Sequence, residues 1–176
     1  LTLGETELFN NASMEVFYRE KACLMGKNGT GKTSLIFSVM GRIQSYEGDI
    51  MLSDSVKLGY IPQEILFDNN KQTIIDYFRN EYPCTEGDAR RLLAKYFIFG
   101  DSVFKQVGVL SGGEKVLLKL AVLMQNEVNF LIIDEQTNHI DIETREMLEE
   151  ALLSFKGTIL FISHDRYFIN KIANKI

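Results

Sequence analysis

Eight consecutive residues restrict this chain more than any other feature. Gly26-Lys27-Asn28-Gly29-Thr30-Gly31-Lys32-Thr33 fits the pattern G-x-x-x-x-G-K-[ST]. Glycines let a backbone wrap closely around an anion with its amide hydrogens aimed inward. A helix starting beyond them adds its positive end. Lys32 then supplies a point charge for β- and γ-phosphates, and Thr33 a hydroxyl for Mg²⁺. Such a loop needs a strand before it and a helix after it. Ala22-Cys23-Leu24-Met25 reads as the strand and Lys32 to Met40 as the helix. A Gly-rich turn alone explains the glycines but not this context, so the stretch points to bound nucleotide.

The remaining pattern is consistent with that start. Asp49 to Leu52 and Lys57 to Ile61 read as two strands around a Ser53-Asp54-Ser55 turn. Phe130 to Ile133 and Thr158 to Ile162 are continuous apolar runs, as expected of strands covered on both faces of a parallel sheet. Strand and helix alternate, which implies a doubly wound α/β layer. From about Gln72 to Phe104 the rhythm changes to helices only, Thr73 to Arg79 and Asp88 to Phe97. Thr85 with Asp88 resembles a capping box, and Gly100 reads as a C-terminal stop. Leu92, Leu93, Tyr96 and Phe97 share an apolar face, and Phe97, Phe99 and Phe104 read as a small core rather than a base-stacking platform.

Composition removes several classes. The longest apolar runs fall far short of the roughly 18 residues of a membrane-spanning helix. Nineteen Lys and Arg against 24 Asp and Glu leave a formal charge of −5, which argues against a broad nucleic-acid footprint. Cys23 and Cys84 form neither a disulfide framework nor a metal-ligand spacing, and are expected as reduced cytosolic thiols. Leu1 opens no signal peptide, and the chain reads as starting in a strand and stopping in a helix, Phe168 to Ile176, as expected of a fragment.

Two further stretches carry chemistry. Asn129 to Glu135 is a buried strand ending in carboxylates. Asp134 suits Mg²⁺, and Glu135 sits where a general base could polarise water. Leu110-Ser111-Gly112-Gly113-Glu114 precedes an apolar helix from about Lys115 to Gln125. By itself that is either an anion-binding helix end or an ordinary N-cap. Gln63 in Tyr60-Ile61-Pro62-Gln63 and His164 in Ser163-His164-Asp165 read alone as a loop residue and a solvated or core histidine.

In this order the five stretches resemble the ATP-binding cassette (ABC) family. The phosphate loop resembles its Walker A motif, Leu131-Ile132-Ile133-Asp134-Glu135 its Walker B motif, Ser-Gly-Gly-Glu its signature, Gln63 its Q-loop glutamine and His164 its switch histidine. Thr137-Asn138-His139-Ile140-Asp141 and Ser163-His164-Asp165-Arg166-Tyr167-Phe168 resemble hallmarks of the ABC-F group, soluble tandem-cassette ATPases acting on ribosomes as translation factors or in antibiotic resistance. Glu114-Lys115-Val116 and the short insert resemble that group's second cassette.

The resemblance implies an α/β phosphate-loop NTPase cassette with a mostly parallel core sheet, an N-terminal antiparallel β portion and a small helical insert at about 72–108. Residues 1–176 would be one nucleotide-binding domain, truncated at its C-terminus. It implies ATP and Mg²⁺ as cofactors and head-to-tail pairing with a second cassette, in the same full-length chain or homodimer-like. Gly26, Asn28, Gly29, Thr30, Gly31, Lys32, Thr33 and Ser34 would bind phosphates in one site, and Ser111, Gly112 and Gly113 would serve the opposite one. Asp134 and Thr33 would hold the metal, Gln63 would contact the metal or the attacking water, and as catalytic residues beside it Glu135 would activate water and His164 would contact the γ-phosphate. Asp141 would contribute across the dimer face or cap the helix beginning near Ile142. A single cassette would hold half of each site and hydrolyse ATP slowly.

Two positions depart from the family. Gln136 replaces the proline after the Walker B glutamate, which loosens the turn that aims Glu135. Aligning Gly4 to Phe9 with the family puts Leu3 where an aromatic often stacks on adenine. Three functions remain open: a cytoplasmic ribosome-acting ATPase meeting its partner through segments outside this chain, the ATPase subunit of a membrane transporter without membrane insertion of its own, and a nucleotide-binding module whose hydrolysis is weak or lost.

Overall fold

A computed structural model of the chain describes residues 2–3, 6–7, 12–44, 48–135 and 140–176. Four parallel strands form its centre: β3 (Lys21–Leu24), β4 (Leu58–Ile61), β5 (Phe130–Asp134) and β6 (Thr158–Ile162). They lie in the order β3-β6-β5-β4. Two short strands, β1 (Thr2–Leu3) and β2 (Thr6–Glu7), pair antiparallel in a separate sheet.

Both faces of the parallel sheet are covered, which explains the continuous apolar runs. Along β5, Phe130 and Ile132 join Ile36 of α1 (Lys32–Val39) on one face. Leu131 and Ile133 join the larger core on the other. That larger core takes in α4 (Gly112–Gln125), α5 (Ile142–Ser154) and α6 (Arg166–Ile172). It also takes in α2 (Ile74–Glu81) and α3 (Glu86–Ala94), through Phe78, Ala89 and Leu93. The two ends of the α2–α3 segment meet: Val107 N–H donates to Gln72 O at 2.9 Å and Ile74 N–H to Lys105 O at 2.9 Å.

Four expectations fail. Residues 49–52 form no strand. Val56 N–H closes the Ser53 turn, but Met51 is 90% exposed and the segment pairs with no strand among the described residues. The final helix ends at Ile172, after which Cys23 N–H bonds Lys175 O at 2.9 Å, so the chain turns to lie parallel to β3.

The stop after α3 is Phe97, not Gly100. Phe97 adopts φ 63°, with its N–H on Ala94 O and the Ile98 N–H on Leu93 O, the two bonds of a Schellman motif. Gly100 instead opens a short 3₁₀ turn, Gly100–Phe104. Finally, Phe99 and Phe104 do not make a small core: they are 63% and 49% exposed, and the buried positions between and beside them are Ile98 and Val103. Arg90 instead covers the Phe104 ring at 4.8 Å.

Candidate nucleotide site

A parallel sheet sends the carboxyl ends of all its strands to one edge, where ligands of open α/β sheets sit. Here that edge gathers four of the five motifs. β3 leads into the phosphate loop, β4 into Gln63, β5 into Asp134 and Glu135, and β6 into His164. Since β6 lies between β3 and β5, and β4 borders β5, the strand order itself brings the histidine, the lysine and the glutamine around the same carboxylates.

The loop is built as an anion cradle. Gly29 and Gly31 take φ 79° and 91°, left-handed values that favour glycine. A side chain at Gly29 would meet nothing within 4 Å, whereas one at Gly26 would crowd Thr30 Oγ1 at 3.0 Å. Lys27, Asn28, Gly29 and Thr30 are exposed, and Ser34 is half-buried in the first turn of α1. Lys32 is buried, and its ammonium donates to Gly26 O at 2.8 Å and Lys27 O at 2.9 Å. That folds its stem under the loop and holds its charge at the mouth.

Opposite the lysine stand the two carboxylates. Thr33 Oγ1 donates to Asp134 Oδ2 at 3.1 Å, pairing the hydroxyl and carboxylate assigned to metal. Burial pushes the Asp134 carboxyl up, Thr33 opposes the shift, and the neighbouring Glu135 charge adds to it. A hard cation there would favour the ionised form, and a hydroxyl with one carboxylate is a suitable protein share for Mg²⁺, which keeps waters and phosphate oxygens for its other positions. The residues therefore fit the ion. Among the described residues no group of three or more His, Cys, Asp or Glu could hold a metal ion.

Glu135 follows β5 directly with φ 47°, a left-handed value that non-glycine residues rarely adopt. Its N–H bonds Ile162 O at 3.1 Å, and its carboxylate meets three polar groups. Lys32 Nζ lies 3.9 Å from Oε1, His164 Nε2 lies 3.4 Å from the same oxygen, and Gln63 Nε2 donates to Oε2 at 3.4 Å. The three candidate catalytic residues and the phosphate-loop lysine thus form one constellation, with Gln63 placed on Glu135. Gln136 and Thr137-Asn138-His139 lie outside the described residues, as does the side chain of Leu3.

The Ser-Gly-Gly segment stands apart as the N-terminus of α4. Ser111 Oγ accepts from Glu114 N–H and Glu114 returns the bond to Ser111 N–H, a complete capping box. Burial opposes ionisation of Glu114, yet the Ser111 N–H and Lys105 ammonium hold it below the usual carboxylate range. Gly112 is open, but a methyl group on Gly113 would lie 2.2 Å from Thr144 Cγ2. Asp141 caps α5, accepting from Thr144 N–H at 2.9 Å and Thr144 Oγ1 at 2.6 Å. One contact escaped sequence reasoning. The Tyr60 hydroxyl, pushed up to about 12 chiefly by burial, reaches Asp134 Oδ2 at 3.5 Å, and its signal was only an aromatic on β4 three residues before Gln63.

Comparison with known proteins identifies the family. The family model for ABC transporters matches residues 9–138. The ribosome protection protein VmlR of Bacillus subtilis is 37% identical over 171 residues, covering 97% of this chain and 31% of that protein. ABC transporter F family member 2 of Arabidopsis thaliana is 36% identical over 172 residues, covering 96% of this chain and 25% of that protein. The chain thus spans a third or less of the length of these curated relatives. Among solved structures, an inward-facing protein assigned as a metal-chelate type ABC transporter superposes with a TM-score of 0.78 at 20% identity, covering 96% of this chain and 73% of that one, a likeness of fold. No helix among the described residues is long and apolar enough to cross a membrane. With its phosphate loop and strand-end carboxylates in one constellation and its family match spanning most of its length, the chain belongs to the ABC transporter family, with relatives in the F group.

Proposed function

We propose that this chain is the ATP-binding and hydrolysing cassette of a cytoplasmic ABC-F protein that acts on the ribosome. The observation that carries the reading is the meeting of Lys32, Gln63 and His164 on the Glu135 carboxylate, one residue beyond the Thr33–Asp134 pair. The ribosome as target is supported by the likeness to a ribosome protection protein.

The chain's own residues divide the work. Amides of 26–34 and the Lys32 ammonium receive the phosphate oxygens. Thr33 and Asp134 hold Mg²⁺, which neutralises charge on the phosphates when bound. Glu135 accepts the proton of the attacking water as the phosphoanhydride breaks to ADP and phosphate. Gln63 orients that water, and His164 contacts the γ-phosphate. Little covalent work is asked of the protein, because phosphoryl transfer proceeds through a loose transition state. Ser111, Gly112 and Gly113 serve the phosphates of a second cassette's ATP in head-to-tail pairing, so closure excludes water and completes both sites.

The test uses the full-length protein that carries this cassette. Glu135→Gln is expected to retain ATP binding, to lower phosphate release by about 10²-fold or more, and to sediment with ribosomes when ATP is present. Absence from ribosomes in that trapped state would favour a transporter subunit. Wild type and Glu135→Gln proteins equally inert in phosphate release would leave a nucleotide-binding module.

A further inference from the structure

Behind His164 lies a set of charges that the scheme above does not use. Glu149, in the middle of α5, is fully buried. Lys171 of α6 donates to its Oε2 at 2.6 Å, and Arg145, one turn earlier on α5, faces its Oε1 at 3.7 Å. A buried carboxylate between two cations is costly to lose and fixes the side chains around it. The Arg145 guanidinium then reaches forward, with Nη1 donating to Asp165 Oδ2 at 3.2 Å and the Tyr167 ring beneath it at 5.2 Å.

Asp165 is the residue after His164, and its groups are fully committed. Oδ1 accepts from Tyr167 N–H and Phe168 N–H, Oδ2 takes Arg145, and its own N–H bonds Ser163 Oγ at 3.1 Å. Ser163 is itself buried. Both neighbours of His164 are therefore clamped, while its imidazole is 41% exposed and lies 3.4 Å from Glu135. The position of a half-exposed ring depends on the backbone that carries it as well as on its contact with Glu135, and the guanidinium of Arg145 is a clamp that reaches that turn from α5.

We propose that Arg145 is a positioning residue for His164: seated on the buried Glu149–Lys171 pair, it holds Asp165 and so sets the 163–165 turn that presents the imidazole to Glu135. The inference rests on the ATPase reading for its catalytic consequence, and on geometry alone for its structural one. Arg145 acts through the histidine.

The experiment compares the full-length wild-type protein with Arg145→Ala, Arg145→Lys, Asp165→Asn, His164→Ala and the Arg145→Ala/His164→Ala pair. Loss of positioning should lower kcat about tenfold in Arg145→Ala while KM stays within about twofold, since misplacement removes an interaction of the transition state. Arg145→Lys should recover part of the rate. The double variant should be no slower than His164→Ala, because residues acting as one unit are not additive. The same factor lost again in the His164→Ala background, or an unchanged kcat, would overturn the proposal. Asp165→Asn guards against misfolding, since asparagine still caps α6. Selectively ¹³Cε1-labelled histidine gives a second readout. The His164 signal, identified by its loss in His164→Ala, should move in Arg145→Ala and Asp165→Asn. A signal unmoved in both sinks the proposal whether or not the protein hydrolyses ATP. A wild type without hydrolysis would instead overturn the ATPase reading and leave the spectral outcome to decide the positioning.

Discussion

A single glycine shows how a packing requirement and a ligand-binding reading can share one residue. Gly112 and Gly113 are adjacent in the Ser-Gly-Gly segment, but only Gly113 is enclosed, between Thr144 and Ile140. A methyl group there forces a core contact apart, at a cost of about 1–3 kcal/mol. At Gly112 the methyl group meets nothing, and alanine is the better helix former. Gly113→Ala is therefore expected to lower the thermal midpoint clearly and Gly112→Ala to leave it level or raised, as checked by circular dichroism. Equal midpoints would show that the close approach at Gly113 is readily relaxed. If Gly112→Ala keeps its stability yet loses hydrolysis in the paired cassettes, the first glycine serves the ligand and the second the fold.

At the scale of elements, α4 and α5 each begin on a side-chain cap, and the cap of α5 bears on function. Asp141 holds both the N–H and the hydroxyl of Thr144, the residue that packs on Gly113. Asp141→Ala should cost about 1 kcal/mol, whereas Asp141→Asn, an equally good cap, should unfold at nearly the wild-type denaturant concentration. ATPase assays of Asp141→Asn then separate the two roles open for this residue. Wild-type turnover leaves the cap as its whole contribution, while lost turnover at full stability assigns it a part across the cassette face. The elements also show where sequence reasoning holds. β5 and β6 were legible because a strand buried on both faces must be apolar throughout, and the phosphate loop because its chemistry is contiguous. Residues 49–52 misled because Ile50, Met51 and Leu52 look strand-like, yet a strand exists only with a partner. Gly100 drew the helix stop away from Phe97 because glycine is the usual left-handed residue, and nothing local marks a phenylalanine that adopts that conformation. Arg145 and Asp165 lie 20 residues apart, so their bridge depends on α5 and α6 packing together.

Over the whole molecule, the groups whose protonation depends on folding set a window of stability. On the acid side, Asp88 and Asp141 are held below the usual range by hydrogen bonds from Thr85 and Thr144, so the stability they add above their ordinary values is lost as pH falls through the lowered ones. On the alkaline side the shifts run upward. Burial raises the Cys23 thiol to about 11 and the Tyr60 and Tyr77 hydroxyls to about 12, and it raises Tyr96 as well. Lys171 is raised by its bond to Glu149, while burial lowers Lys21 and so opposes the trend in part. A group with a raised folded value contributes fully below its unfolded value and loses that contribution as pH climbs to the folded one. Unfolded thiols and phenols ionise from model values of 9.0 and 10.0, so the denaturant midpoint should hold through neutral pH and fall steadily between roughly 9 and 12. Cys23→Ala, measured over the same series, should lower the plateau by removing buried volume but delay the first part of the alkaline fall, since its thiol no longer has to ionise. An onset unmoved by Cys23→Ala would mean that the thiol of β3 ionises before the chain unfolds, and a midpoint flat to pH 11 that the buried phenols do so as well.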